Sequence, residues 1–169
     1  DAAAECGADV CKFQSFLVED LLAENDPNFS RLSKLQLPRE WYPILMKRCH
    51  EQGVRFLSTA TNETTLSWME QDGAWGYKVA SCNITHTPLL SRLADLGKPI
   101  ILSTGMATLQ DILDSRRLLC KAGHERHAFL HCVSKYPTLP EEMHIRNISV
   151  MRELLGCEVG LSDHSHGAH

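Results

Sequence analysis

An α/β fold with a parallel sheet is what this sequence predicts, on three observations. Short apolar runs recur at 9–13, 54–57, 76–80, 100–102, 128–132 and 157–161, and each ends in polar residues. Helical patterns fill the intervals, so the repeating unit is βα, and strands joined in this way run parallel. The run Lys98-Pro99-Ile100-Ile101-Leu102-Ser103-Thr104-Gly105-Met106 is apolar through its middle, as a strand buried on both faces is, and then breaks abruptly into hydroxyls and a glycine. Pro99 fits only at the first residue of such a strand, and Gly105 permits a tight exit into the next helix. A closed (β/α)8 barrel typically needs ~250 residues. Six strands therefore leave two topologies open: an open doubly wound sheet, or most of a barrel without its first strand and last units.

Taken in order, residues 1–6 read as the end of a helix closed by Gly7. The stretch 18–37, with its Asn-Asp-Pro-Asn, is long for a βα connection and is expected to form part of a binding rim. Residues 38–52 carry Trp41, Ile44, Leu45 and Cys49 at helical spacing and stop at Gly53. Asn62 caps a shorter helix over 62–69. Thr87 is placed to cap a helix over 88–96 closed by Gly97, and Thr108 one reaching 121 and closed at Gly123. The last helix is expected over 144–155, ended by Gly156. No repeat, low-complexity tract or linker interrupts this pattern, and one domain is the economical reading.

Composition narrows the function classes. With 43% hydrophobic and 22% charged residues the chain is ordinary globular material. A net charge of −4, with no basic stripe interleaved with aromatics, argues against bulk nucleic-acid binding. No apolar run approaches the ~20 residues of a membrane span and no secretory leader is apparent, so a cytoplasmic location is expected. Seven cysteines, an odd number without close pairing, read as buried reduced thiols rather than disulfides or a zinc site.

Chemistry in parallel α/β folds collects at the carboxyl ends of strands. There the sequence sets Lys12 with Gln14, Ser58 with Thr59, Lys78 with Ser81, Ser103 with Thr104, Ser134 with Tyr136, and Ser162 with Asp163 and His164. Two lysines and several hydroxyls on one face suit a small anion such as a phosphate or a carboxylate. His124, His127 and His131 span a loop and a strand and read as structural rather than as a metal cluster.

Six motifs carry a family resemblance: Lys12-Phe13-Gln14, Phe56-Leu57-Ser58-Thr59, Tyr77-Lys78-Val79-Ala80-Ser81, the 98–106 run, Leu130-His131-Cys132-Val133-Ser134-Lys135-Tyr136-Pro137 and Gly160-Leu161-Ser162-Asp163-His164. In this order and spacing the chain resembles the sialic acid synthase family over essentially its full length. The resemblance implies a TIM barrel, here an incomplete (β/α)8 barrel of about six βα units spanning 1–169. It also implies that the first strand, the eighth unit and a small C-terminal antifreeze-like domain lie outside this sequence. Members condense phosphoenolpyruvate with an N-acylated amino sugar to a nine-carbon sialic acid and release phosphate. Related branches make legionaminic or pseudaminic acid or serve spore-coat polysaccharide synthesis.

Carried over position by position, the resemblance assigns Lys12, Thr59, Lys78, Ser81, Ser103 and Ser162 to phosphoenolpyruvate. It assigns Ser134 and Tyr136 to the phosphate and sugar side, and His164 to a divalent metal, Mn²⁺ or Mg²⁺. Lys12, Lys78, Tyr136 and His164 are the expected catalytic set, and a homodimer is implied for the full-length protein. His166 and His169 are read as part of the following connection. Two positions depart from the family pattern: Ala60 stands where proline is usual, and Asn83 where an acid is usual, with His86 a titratable neighbour. Two other readings are retained, a module that binds phosphoenolpyruvate or sugar without turnover and an aldolase forming a Schiff base through Lys78 or Lys12.

Overall fold

The computed structural model describes residues 1–167, so His169 lies outside the described residues. The chain folds as two compact units, residues 1–77 and the remainder from Lys78. The first contains α1 (Ala2–Glu5), β1 (Val10–Phe13), α2 (Val18–Leu21), α3 (Phe29–Ser33), α4 (Trp41–Glu51), β2 (Arg55–Thr59) and α5 (Glu63–Gln71). Strands β1 and β2 pair in parallel with Lys12 opposite Leu57 and Phe13 opposite Ser58. Alternation of side chains then separates two faces. On one, Phe13 stacks on Phe56 at 5.1 Å, Tyr42 of α4 tilts against Phe56 at 6.2 Å, and Trp68 of α5 meets Tyr42 edge-on. Lys12, Leu57 and Thr59 share the other face.

The expected helix at 38–52 starts at Trp41, because Pro38 to Glu40 form a turn in which Trp41 N–H donates to the Pro38 carbonyl. The long 18–37 connection holds the two short helices α2 and α3, tied together by Val18 N–H donating to Gln36 Oε1. Asn62 caps α5 as expected, accepting from Thr65 N–H at 2.8 Å. All three tryptophans of the sequence, Trp41, Trp68 and Trp75, fall in this unit, with Trp75 under the Arg55 guanidinium at 4.7 Å.

The second unit takes in β3 (Tyr77–Val79), which begins at the boundary, then α6 (Thr87–Leu96), β4 (Ile100–Ser103), α7 (Leu109–Lys121), β5 (His127–Cys132), α8 (Asn147–Leu155) and β6 (Glu158–Ser162). Strands β3 to β6 lie side by side in chain order. The β4–β5 and β5–β6 pairs are parallel, with Ser103 opposite Leu130 and Cys132 opposite Ser162. Ile100, Leu102 and Phe129 are completely buried. Ile101, Ala128, Leu130 and Gly160, on the alternate face, are only half-buried. The expected strand buried on both faces is thus nearly realised in β4, where only Ile101 is half-buried; on its face Ser103 and Cys132 are buried and Ser162 is half-buried.

Caps in this unit follow side-chain chemistry with one correction. Thr108 forms a full capping box with Asp111, but α6 is capped by His86, not Thr87: His86 Nδ1 accepts from Leu89 N–H at 3.1 Å. Helix α8 starts at Asn147 rather than 144, since His144 adopts a left-handed φ of 45° and stands outside it. Turns of 3-10 type at Ser81–Asn83 and Pro140–Glu142 were not legible as helix. The cysteines are all free, but Cys6, Cys82 and Cys120 are exposed and only Cys49 and Cys132 are buried, so uniform burial does not hold.

Candidate active site

Each unit presents its predicted residues separately. In the first, Lys12 stands out from β1, exposed along part of its length, while partial burial holds its ammonium pKa below the usual lysine value. Thr59 has little freedom: its hydroxyl donates to the Ser15 carbonyl at 3.2 Å and accepts from Ser15 N–H at 2.9 Å. Ser58 and Ser15 share a 2.6 Å hydroxyl contact. These bonds hold the exit of β1 against the end of β2.

The denser cluster is at the carboxyl ends of β3 to β6. Lys78 is 6% exposed, and its Nζ donates to Ser103 Oγ at 2.6 Å and to the Val79 carbonyl at 2.7 Å. Both contacts hold the Lys78 amine inside the cluster rather than out in solvent. Beside it, Ser81 Oγ accepts from Gly105 N–H at 3.0 Å and donates to Cys132 Sγ at 3.7 Å. Cys132 Sγ lies 3.9 Å from His164 Nδ1, which also faces the Val133 carbonyl at 2.7 Å. Tyr136 stacks on His164 with centroids 4.0 Å apart. Its phenol pKa is raised, first by burial and then by the neighbouring Cys132 and Cys82.

Lys78 and Ser103 thus form one bonded pair, and Ser81, Cys132, His164 and Tyr136 a second set in contact, both at the carboxyl ends of β3 to β6. Ser134 adjoins the second set at Gly105, and Ser162 faces Cys132 in register. Asp163 turns to Ser165 instead, accepting from its N–H at 2.8 Å. The sequence reading missed Cys132 and the real reason for Gly105. Cys132 looked like strand filler, although register alone sets it on the face of Ser162. Gly105 is needed for room: a Cβ there would lie 2.3 Å from Ser134 Oγ, 3.0 Å from Cys132 Sγ and 3.1 Å from Ser81 Oγ. The left-handed residue at this exit is Met106, φ 66°.

The structural reading of His124, His127 and His131 fits their bonding. Each is buried with a ring nitrogen on a backbone carbonyl, at 3.2, 2.9 and 2.7 Å respectively. Among the described residues no group of three His, Cys, Asp or Glu side chains is placed to hold a metal ion. No helix among them is long and apolar enough to cross a membrane.

The sequence profile of the NeuB family matches residues 1–169. The spore coat polysaccharide biosynthesis protein SpsE of Bacillus subtilis is 36% identical over 98% of this chain and 48% of its own. The N,N'-diacetyllegionaminic acid synthase of Campylobacter jejuni is 31% identical over 100% of this chain and 55% of its own. Among solved structures, the N-acetylneuraminic acid synthetase of Leptospira borgpetersenii, in complex with citrate, superimposes with a TM-score of 0.93 at 28% identity, covering 98% of this chain and 57% of that one. The chain spans about half the length of the curated relatives it matches.

Proposed function

The chain belongs to the NeuB family, with the fold of an incomplete (β/α) barrel, and from that premise we propose that it is part of a synthase joining phosphoenolpyruvate to an N-acylated amino sugar, of the N-acetylmannosamine type, with release of phosphate. Buried Lys78 carries the reading. Phosphoenolpyruvate is a compact polyanion, and preorganised N–H and O–H donors hold such charge best where water is excluded. Lys78, Ser81 and Ser103 supply these donors at adjacent strand ends, and Ser134 and Ser162 extend the row.

A divalent ion, Mn²⁺ or Mg²⁺, supplies polarisation of the sugar aldehyde when bound. His164 fits one ligand position, because a carbonyl can only accept: Nδ1 carries the proton that Val133 O receives, and Nε2 keeps its lone pair. Tyr136 lies over that ring, and we assign its hydroxyl to the sugar. The intact protein is proposed to be a homodimer.

The deciding assay mixes the intact protein with phosphoenolpyruvate, Mn²⁺ and N-acylated amino sugars, measuring inorganic phosphate and a nine-carbon product by mass. Absence of both with every sugar offered overturns the reading. Asn83 favours a second one, binding without turnover, since an amide cannot exchange protons as an acid does near neutral pH. His86 does not replace it readily, being engaged as the α6 cap. The lowered pKa of Lys12 is in the direction a Schiff-base aldolase needs, a third reading for which borohydride trapping with a carbonyl substrate is the test.

A further inference from the structure

We infer that the exit of β5, residues 132–136, is a clamp that fixes the tautomer and plane of the His164 imidazole, with Tyr136 acting as a positioning residue through that ring. Three groups from this short segment meet the imidazole. The Val133 carbonyl takes the Nδ1 proton at 2.7 Å. Cys132 Sγ stands 3.9 Å from the same nitrogen, a weak second acceptor for a shared N–H. The Tyr136 ring covers one face of the imidazole, centroids 4.0 Å apart and planes 30° from parallel. An in-plane hydrogen bond alone leaves a ring free to rock about it; a stacked ring on the face removes that freedom.

Tyr136 is unsuited to a packing role in the core. It is 75% exposed, so its contact with the imidazole is not a by-product of core packing. Cys132 in turn accepts from Ser81, whose hydroxyl is anchored on Gly105 N–H, so the clamp is braced from two neighbouring strand ends. With Nδ1–H engaged, Nε2 is the only nitrogen left to serve as a ligand or as a base. Side chains that orient a metal-bound histidine typically change metal affinity 10- to 100-fold when removed.

The inference rests on the proposed function only for what Nε2 does, and the experiment keeps the two apart. In metal-free intact protein labelled with ¹⁵N-histidine, long-range ¹H–¹⁵N correlation reads the His164 tautomer, assigned by loss of its signals in His164→Gln. The expected result is Nδ1–H, with ring protons shifted upfield by the Tyr136 ring. Tyr136→Phe keeps the upfield shift and Tyr136→Leu abolishes it. Titration with Mn²⁺ followed by electron paramagnetic resonance then gives affinity within about threefold of wild type for Tyr136→Phe and roughly tenfold weaker for Tyr136→Leu. An Nε2–H tautomer, ring shifts unchanged in Tyr136→Leu, or, where wild type binds Mn²⁺, equal affinity in Tyr136→Leu overturns the clamp. A wild type that binds no Mn²⁺ yet shows the Nδ1–H tautomer and the ring shift supports the clamp and removes the metal from the proposed function.

Discussion

Replacing Gly105 by alanine tests the active-site reading at its tightest point. The added methyl meets three side chains, but they differ in how readily they yield. Ser134 Oγ, at 2.3 Å, belongs to an exposed serine that turns into solvent by one χ1 rotation. Cys132 Sγ and Ser81 Oγ, at 3.0 and 3.1 Å, are held by their mutual hydrogen bond and must give by a few tenths of an ångström. Overpacking generally costs about 1–3 kcal/mol, and with the worst clash so easily relieved the fold should lose about 1 kcal/mol. Ligand binding should lose more, because the serines pushed aside are the proposed phosphoenolpyruvate donors. One charge-assisted hydrogen bond is worth about 1.5–3 kcal/mol, or roughly 10- to 150-fold in affinity. Urea unfolding and phosphoenolpyruvate calorimetry on the intact protein separate the two effects. Affinity unchanged within about twofold at unaltered stability would refute the reasoning, for it would mean that these side chains do not touch the ligand.

Lys78→Ala should weaken phosphoenolpyruvate binding by about 1.5–3 kcal/mol by calorimetry; unchanged affinity removes Lys78 from the site. Thr108→Ala, which breaks the α7 capping box, should lower stability by about 1 kcal/mol in urea unfolding without altering ligand affinity. His127 is held below the usual histidine range, chiefly by burial and next by the Arg116 charge. Its unfolded form takes up a proton below about pH 6.5, before the folded form does, so stability should fall as pH drops from that point towards the folded pKa. Unfolding curves of wild type and His127→Gln between neutral and mildly acidic pH check this. An acid limb as steep in the variant would contradict it.

Much of the fold was legible because period and punctuation are local. The strands lie within a residue or two of the apolar runs, and Gly53, Gly97, Gly123 and Gly156 close helices by left-handed turns visible as lone glycines after periodic stretches. What failed was also physical. His86 supplanted Thr87 as a cap because an imidazole nitrogen can accept as well as a hydroxyl, which a rule based on oxygen side chains overlooks. In the site, Lys78, Ser103 and His164 stood out as polar residues ending apolar runs. Cys132 and the Val133 carbonyl did not, since one is an apolar-looking residue and the other a backbone atom. Their meaning comes only from what lies across the sheet.

The placement of the tryptophans decides what an optical experiment on this protein can see. Trp41, Trp68 and Trp75 all precede Lys78, so within residues 1–169 the fluorescence excited at the indole band originates in the first unit. A single fluorescence melt therefore says nothing direct about the strand ends that carry Lys78, Cys132 and His164. Agreement between that signal and one native to the second unit, such as a fluorophore attached to exposed Cys120, becomes the test of whether the whole chain unfolds in one cooperative step. Disagreement would show the two units melting on separate schedules, and stabilities measured for site variants by tryptophan emission would then belong to the wrong unit.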